Sequence, residues 1–134
     1  MDRVEKALEF HKKGYNCCQA VACVFAEELG IEEQLMFRVC EGFGAGMGGM
    51  QCTCGAVSGA VAAAGMKNST GNVADCTKGG TYQLSKAMVN RFREKNGSVI
   101  CGEIKGLETK KVLRSCDGCI EDAVRIAEEE LGLN

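Results

Sequence analysis

The sequence predicts an all-α protein, a single-domain bundle of five or six helices with one glycine-rich loop, covering residues 1–134. Apolar residues recur at helical spacing along most of the chain, and the alternation typical of strands is nowhere sustained. Glycine follows most of the predicted helices, and proline is absent from the whole chain, so no residue forces a kink. Apolar residues make up 46% of the chain, which is enough for the core of one domain.

The helices are predicted from apolar spacing and from capping residues at their ends. Gly14 ends the first, Asn16 caps the second, which Gly30 ends, and Thr53 is expected to cap the fourth. The predicted helical segments are 4–13, 17–29, 32–43, 54–64, 81–95 and 115–131, with one further helical turn expected within 98–107. A glycine-rich loop is predicted over 42–49 and a polar loop over 67–80.

The fourth predicted helix consists almost entirely of small residues. Gly55 and Gly59 in a helix interior each cost about 1 kcal/mol relative to alanine. We expect close approach of another backbone or of a bulky group to compensate, so this helix should lie at the centre. Tight helix packing and packing around a cofactor explain it equally well, and the same small residues suit a homodimer seam.

Composition excludes several classes of function. The net charge is −2 and only seven residues are aromatic, so neither a basic face nor base stacking for nucleic acid is expected. The longest apolar stretch, 56–66, is too short to span a membrane, and the charged first residues lack the apolar core of a signal peptide. We therefore expect a cytoplasmic protein.

Ten cysteines in a reducing compartment indicate metal or redox chemistry rather than a disulfide framework. About half are expected to be buried simply as small apolar residues, as free cysteine often is. Cys23 and Cys40 lie on apolar helix faces and are assigned to the core, while Cys76 lies in the polar loop and is expected to be exposed.

Several other cysteines stand at predicted helix starts. Cys17, Cys54 and Cys116 each follow a capping residue, and Cys101 opens a short segment shortly after Ser98. Unpaired N–H groups and partial positive charge at a helix N-terminus stabilise a thiolate, the form that binds metal or attacks a disulfide. These four are the leading candidates for sulfur chemistry.

Neighbouring cysteines leave alternatives open. Cys52 and Cys54 could chelate one metal or close a strained disulfide. The C-x-x-C at Cys116 and Cys119 has the spacing of thiol exchange, zinc and iron–sulfur sites, but no strands provide a thioredoxin context and no second C-x-x-C supports a zinc ribbon. Adjacent Cys17 and Cys18 point in different directions, and Cys17, at the helix start, is the better candidate.

The run Gly44–Gly49 matches G-x-G-x-x-G, but a dinucleotide site requires a preceding strand, and here a helix precedes. Its glycines instead permit a tight path whose N–H groups can face sulfide or thiolate. We predict Gly46, Gly48, Gly49 and Gly55 as the cofactor-binding glycines. The one histidine, His11, is more simply explained as an exposed helix residue than as a ligand.

The order of these motifs resembles the family of redox-active proteins labelled C_GCAxxG_C_C. The resemblance rests on the stretches 15–21, 44–49 and 54–60, the last reading CGAVSGA, followed by single cysteines near the C-terminus. It implies a small helical protein of prokaryotes, often anaerobes, whose signature cysteines here are Cys17, Cys54, Cys101 and Cys116, with Cys119 as a substitute for the last. Related modules accompany an iron–sulfur centre in split-Soret-type cytochromes. This chain departs from the pattern by adding Cys18, Cys52 and Cys119 beside signature positions.

Three functions follow. The first is an iron–sulfur protein, most simply [2Fe–2S], which serves electron transfer or redox sensing with an unidentified redox partner protein and has the four signature cysteines as ligands. The second is a metal-free thiol–disulfide protein, with catalytic Cys54 as nucleophile and Cys52 or Cys116 as the resolving thiol. The third is a structural zinc site in a helical domain.

Overall fold

The computed structural model describes residues 1–133, and these form seven α-helices. The all-α prediction is confirmed, but the number of helices is seven rather than five or six, because the turn expected within 98–107 is a helix of its own. The helices are α1 Arg3–Lys13, α2 Cys17–Ala26, α3 Glu33–Cys40, α4 Gly55–Asn68, α5 Lys78–Asn96, α6 Cys101–Lys105 and α7 Cys116–Leu131.

Several helix ends differ from the predictions, and α2 ends at Ala26 rather than at residue 29. α4 continues past Gly65 to Asn68, and α5 begins at Lys78, three residues before its predicted start, so the polar loop between them is shorter than expected. The third predicted helix stops at Cys40 and continues only as a 3-10 turn, Glu41–Phe43.

The predicted glycine-rich loop adopts a compact irregular path that ends in the turn Gly46–Met50. Ala45, Gly46, Met47 and Gly48 all have positive φ, between 52° and 89°. Consecutive left-handed residues reverse the chain sharply, which brings this segment back across the start of α6.

The helix of small residues, α4, lies at the centre of the fold, where it packs on α2, α5 and α7. A Cβ atom built on Gly59 would lie 2.8 Å from the carbonyl oxygen of Cys18 and 2.9 Å from the Cβ of Val21. Only glycine permits this approach of α4 to α2. Packing between helices of the same chain therefore accounts for Gly59.

Two clusters of buried apolar side chains fill the bundle. The main core joins α1, α2, α4, α5 and α7, with Phe25, Met88 and Phe92 among its largest members. The other cluster lies between α2 and α3 and comprises Cys18, Cys23, Cys40 and Met36 together with two alanines. Because the cysteine cavity described below is the first group of sulfurs, we call this one the second sulfur cluster. Tyr15 shields its edge, since its ring stacks on Phe10 and meets the ring of Phe37 edge-on.

Within residues 1–133, no helix has both the length and the apolar character needed to cross a membrane.

Candidate functional site

Five cysteines from four separate helix starts line one cavity of about 180 Å³. They are Cys17, Cys54, Cys101, Cys116 and Cys119, and the cavity also has Lys105 and Arg114 in its wall. The four cysteines predicted as metal ligands are thus all brought together, and Cys119 joins them. We refer to this region as the cysteine cavity.

Cys17 reaches the cavity because α2 begins there. The side chain of Asn16 accepts a hydrogen bond from the backbone N–H of Gln19, and the Gln19 side chain accepts one from the N–H of Asn16, which completes a capping box. The Asn16 amide also donates to the carbonyl of Glu41 at 2.9 Å. Burial, together with the neighbouring Cys116 and Cys54 sulfurs, raises the pKa of Cys17 to about 12.

Cys54 itself occupies the N-cap of α4, so the prediction that Thr53 caps this helix is wrong. Thr53 instead pairs with Ile100 in an isolated antiparallel bridge, and the N–H of Cys54 donates to the carbonyl of Val99 at 2.7 Å. This pairing between distant segments, invisible to local sequence patterns, shifts the helix start by one residue.

Among the cavity cysteines, Cys54 is the one whose surroundings most strongly stabilise the thiolate form. A hydrogen bond from the Cys119 thiol is the largest cause, and the N–H groups of Ala56 and Val57 at the helix start and the charge of Lys105 add to it. Against the opposing effect of burial, these contacts lower the pKa of Cys54 to about 6. The pKa of Cys119 is raised in turn because its proton is held by Cys54.

Cys101 opens α6, and its position depends on Gly46. The N–H of Cys101 donates to the carbonyl of Cys52 at 2.9 Å, which fixes the start of α6 beside the glycine-rich turn. A Cβ on Gly46 would lie 2.5 Å from the Cβ of Cys101, and the positive φ of Gly46 also favours glycine. Burial raises the pKa of Cys101, against the opposing charge of Lys105.

Lys105 is a cation in direct contact with one of these sulfurs, and it is not among the residues predicted from the sequence. Its ammonium donates to the sulfur of Cys116, which raises the pKa of Lys105. The signal in the sequence is its spacing, since Lys105 follows Cys101 by four residues and therefore shares its helix face.

The outer wall of the cavity is polar and tied to α7. The guanidinium of Arg114 donates to both carboxylate oxygens of Asp122, at 3.0 and 3.2 Å, and its chain lies against Gly118. His11, predicted as a plain exposed residue, is half-buried at the rim, where Nδ1 lies 2.9 Å from a carboxylate oxygen of Asp117.

Other predicted site residues lie elsewhere. The side chain of Cys52 is exposed and is not in the cavity wall, and only its backbone carbonyl contributes, through Cys101. Gly48 and Gly49 are exposed at the surface, whereas Gly46 and Gly55 lie against the cavity cysteines. Cys23 and Cys40 are in the core as predicted, and Cys76 is exposed as predicted.

Two pairs of cavity thiols are in contact, and Cys101 lies near Cys54 and Cys116. Cys17 contacts Cys116, and Cys54 contacts Cys119. In the described part of the chain, no three side chains of histidine, cysteine, aspartate or glutamate are grouped closely enough to hold a single metal ion.

Comparison with known proteins supports a redox function for this arrangement. The family model described as "Putative redox-active protein (C_GCAxxG_C_C)" matches residues 15–130, a span that includes every cysteine of the cavity. Searches of curated proteins and of solved structures gave no match. The match covers most of the chain, and the protein therefore belongs to the C_GCAxxG_C_C family of redox-active proteins.

Proposed function

We propose that the cysteine cavity holds an iron–sulfur cluster of the [2Fe–2S] type and that the protein serves electron transfer or redox sensing. One observation carries this proposal: four helix starts converge to place cysteines around one cavity. The proposed ligands are Cys17, Cys54, Cys101 and Cys116, each at the first residue or N-cap of its helix. Cys119 lies one turn inside α7, where the dipole of the helix start is weaker.

The donor set suits such a cluster. Cysteine thiolates are the usual ligands of [2Fe–2S] centres, in which each of two irons takes two of them. The contact of Cys17 with Cys116 supports a pairwise arrangement more than the single four-ligand point of a structural zinc ion. The cavity volume of about 180 Å³ is several times the roughly 30 Å³ that one water takes in the liquid.

The remaining cavity residues would act on the ligands. When bound, the cluster would supply a one-electron redox centre, whose potential depends on charge and on hydrogen bonds to sulfur. Lys105 would place positive charge beside Cys116, and the thiol of Cys119 would donate to the sulfur of Cys54. Ala45, Met50 and Ile104 line the cavity with apolar surface that limits water. Electron transfer would also require a redox partner protein.

The test is anaerobic purification followed by an absorption spectrum and by iron and acid-labile sulfide analysis. We expect a coloured protein with nearly equal iron and sulfide, and loss of both in Cys54→Ser. Cys23→Ser is the matched control, because Cys23 is also buried but lies outside the cavity. A colourless protein without iron would refute the cluster, and bound zinc released by a chelator with loss of stability would establish the zinc site instead.

A second candidate function is favoured by the contact between Cys54 and Cys119. In a metal-free protein, the Cys54 thiolate would attack a partner disulfide and release one partner thiolate. The Cys119 thiolate would then attack the sulfur of Cys54 in the mixed disulfide, which leaves an internal disulfide and a fully reduced partner. Cys119 therefore replaces Cys52 as the nearest resolving thiol, since Cys52 is exposed and outside the cavity.

This candidate predicts a reversible disulfide between Cys54 and Cys119 in protein that lacks iron. Peptide mapping after mild oxidation would locate it. If both thiols remain free for alkylation after oxidation of the metal-free protein, the dithiol function is excluded.

A further inference from the structure

The function proposed for the cysteine cavity gives no role to the three thiols of the second sulfur cluster. Cys18, Cys23 and Cys40 are each only 1% exposed, and none lines the cavity. They lie between α2 and α3 with Met36, whose sulfur is 3.4 Å from that of Cys40. The family match gives no role to this cluster.

Contacts distinguish the three thiols. The thiol of Cys18 donates to the sulfur of Cys40 across the interface of α2 with α3, and the thiol of Cys40 donates to the sulfur of Met36. The thiol of Cys23 is directed instead at the backbone carbonyl of Glu33, at 3.8 Å. Two thiols in contact on separate elements can be joined, whereas Cys23 is engaged with the backbone.

We propose that Cys18 and Cys40 form a second redox-active dithiol, which a small peroxide converts to a disulfide that links α2 to the end of α3. The proposal does not depend on the function of the cavity, because neither thiol belongs to it. Burial of both thiols selects a small, uncharged oxidant such as hydrogen peroxide over a bulky disulfide such as oxidised glutathione.

The chemistry balances with peroxide as the two-electron oxidant. Cys40 attacks one peroxide oxygen, the O–O bond breaks, and a sulfenic acid and one water form. The sulfur of Cys18 then attacks the sulfenic sulfur, the S–O bond breaks, and the hydroxyl leaves with the Cys18 thiol proton as a second water. The pair loses two hydrogens overall.

The bond would also stiffen the wall of the cavity. Cys40 ends α3, and the next residue, Glu41, accepts a hydrogen bond from the Asn16 cap beside Cys17. Joining Cys18 to Cys40 closes the chain between them and reduces the entropy of the unfolded state. We expect the melting temperature to rise on oxidation.

The chain permits a direct assay. Cleavage after glutamate yields the peptide 34–41, in which Cys40 is the one cysteine, and the peptide 10–27, which holds Cys17, Cys18 and Cys23. After treatment with hydrogen peroxide, blocking of remaining thiols in denaturant and digestion, we expect these two peptides to be linked. The link and the rise in melting temperature should persist in Cys23→Ala and vanish in Cys18→Ala.

Either of two results overturns the proposal. One is recovery of peptide 34–41 with Cys40 fully alkylated in the oxidised wild-type protein. The other is a link that tandem mass spectrometry of the wild-type peptides places at Cys17 or Cys23. Because both are read on the wild-type chain, the assay remains decisive if Cys18→Ala fails to fold.

Discussion

Cys17 and Cys18 are consecutive residues, yet they belong to two regions with different chemistry. Cys17 lines a cavity whose wall includes Lys105 and Arg114, whereas Cys18 lies in a cluster closed off by apolar and aromatic side chains. Successive side chains on a helix point about 100° apart, so the start of α2 supplies one thiol to each region.

The comparison shows what determines the chemistry of a thiol in this fold. In the cavity, a hydrogen bond from Cys119, the N–H groups at the start of α4 and the charge of Lys105 together lower the pKa of Cys54. In the second sulfur cluster, burial raises the pKa of Cys23 to about 12. Burial also raises the pKa of Cys17 in the cavity to about 12, and a hydrogen bond from a neighbouring thiol lowers one pKa in each region, that of Cys54 and that of Cys40. What distinguishes the cavity is therefore the helix-start N–H groups and the lysine that act on Cys54, and each of the following changes tests this difference.

Asp122→Ala should have the largest effect on stability. The carboxylate is 1% exposed and bonded to Lys95, Asn96 and Arg114. Its loss should lower the free energy of unfolding by about 3 kcal/mol. It should also speed alkylation of Cys119, because Arg114 is released from the cavity wall, while Cys23 stays protected.

The control is Glu121→Ala, which removes an exposed carboxylate that pairs with Arg114 and should lower the free energy of unfolding by under about 1 kcal/mol. Burial alone would raise the pKa of Asp122, but hydrogen bonds from its three partners outweigh it and hold the pKa below the ordinary value. The Asp122 carboxylate therefore stabilises the folded state fully at pH values above its ordinary pKa, near 4. This stabilisation is lost as the pH falls through the lower pKa that Asp122 has in the folded state. Denaturation curves of the wild type and of Asp122→Ala at several pH values would measure this loss. A difference in the free energy of unfolding that stays constant down to pH 2 would contradict it.

Gly59→Ala should disturb both regions together. The new methyl would meet the carbonyl of Cys18 and the side chain of Val21, and α2 carries thiols of both regions. We expect a loss of about 2 kcal/mol in the free energy of unfolding and faster alkylation of Cys17 and Cys23 alike.

The matched control lies in the same helix. Gly65 has no heavy atom within 4 Å of a built Cβ and its φ is not positive, so Gly65→Ala should stabilise by up to about 1 kcal/mol through helix propensity. Urea denaturation of both variants checks this, and equal effects would show that the contact of α4 with α2 is not tight.

How much of this could be predicted from sequence depends on whether the signal was local. The starts of α2 and α7 follow from the caps Asn16 and Ser115, and the apolar faces placed Cys23 and Cys40 in the core. The start of α4 was missed because the pairing of Cys54 with Val99 joins segments far apart in sequence. The contact between Cys18 and Cys40 depends likewise on how α3 packs against α2, which no local pattern contains.

Cys119→Ala should have a large effect on the reactivity of Cys54. The hydrogen bond from Cys119 is the main cause of the lowered pKa of Cys54, so without it the thiolate fraction at neutral pH falls. With a pKa of about 6, the Cys54 thiol is mostly ionised at pH 7. In reduced, metal-free protein, we therefore expect alkylation by iodoacetamide at pH 7 to slow about twofold if the pKa rises by one unit and about tenfold if it rises by two. Cys23→Ala removes one thiol from the second sulfur cluster instead, and it should leave the alkylation rate of Cys54 unchanged. A changed rate in this variant would show that the two regions are not independent.

Lys105→Gln should act in the same direction and less strongly. Lys105 influences Cys54 through its charge alone, which lowers the pKa of Cys54 less than the hydrogen bonds from Cys119 and from the backbone do. We expect alkylation of Cys54 at pH 6, near its pKa, to slow by up to about twofold at low ionic strength and less in high salt, because mobile ions screen a partly exposed charge. Lys110→Gln removes an equal charge from an exposed residue that is not in the cavity wall, and it should change nothing. If the two lysine variants behave alike, the effect belongs to net charge, and the cavity does not differ from the second sulfur cluster by a built-in cation.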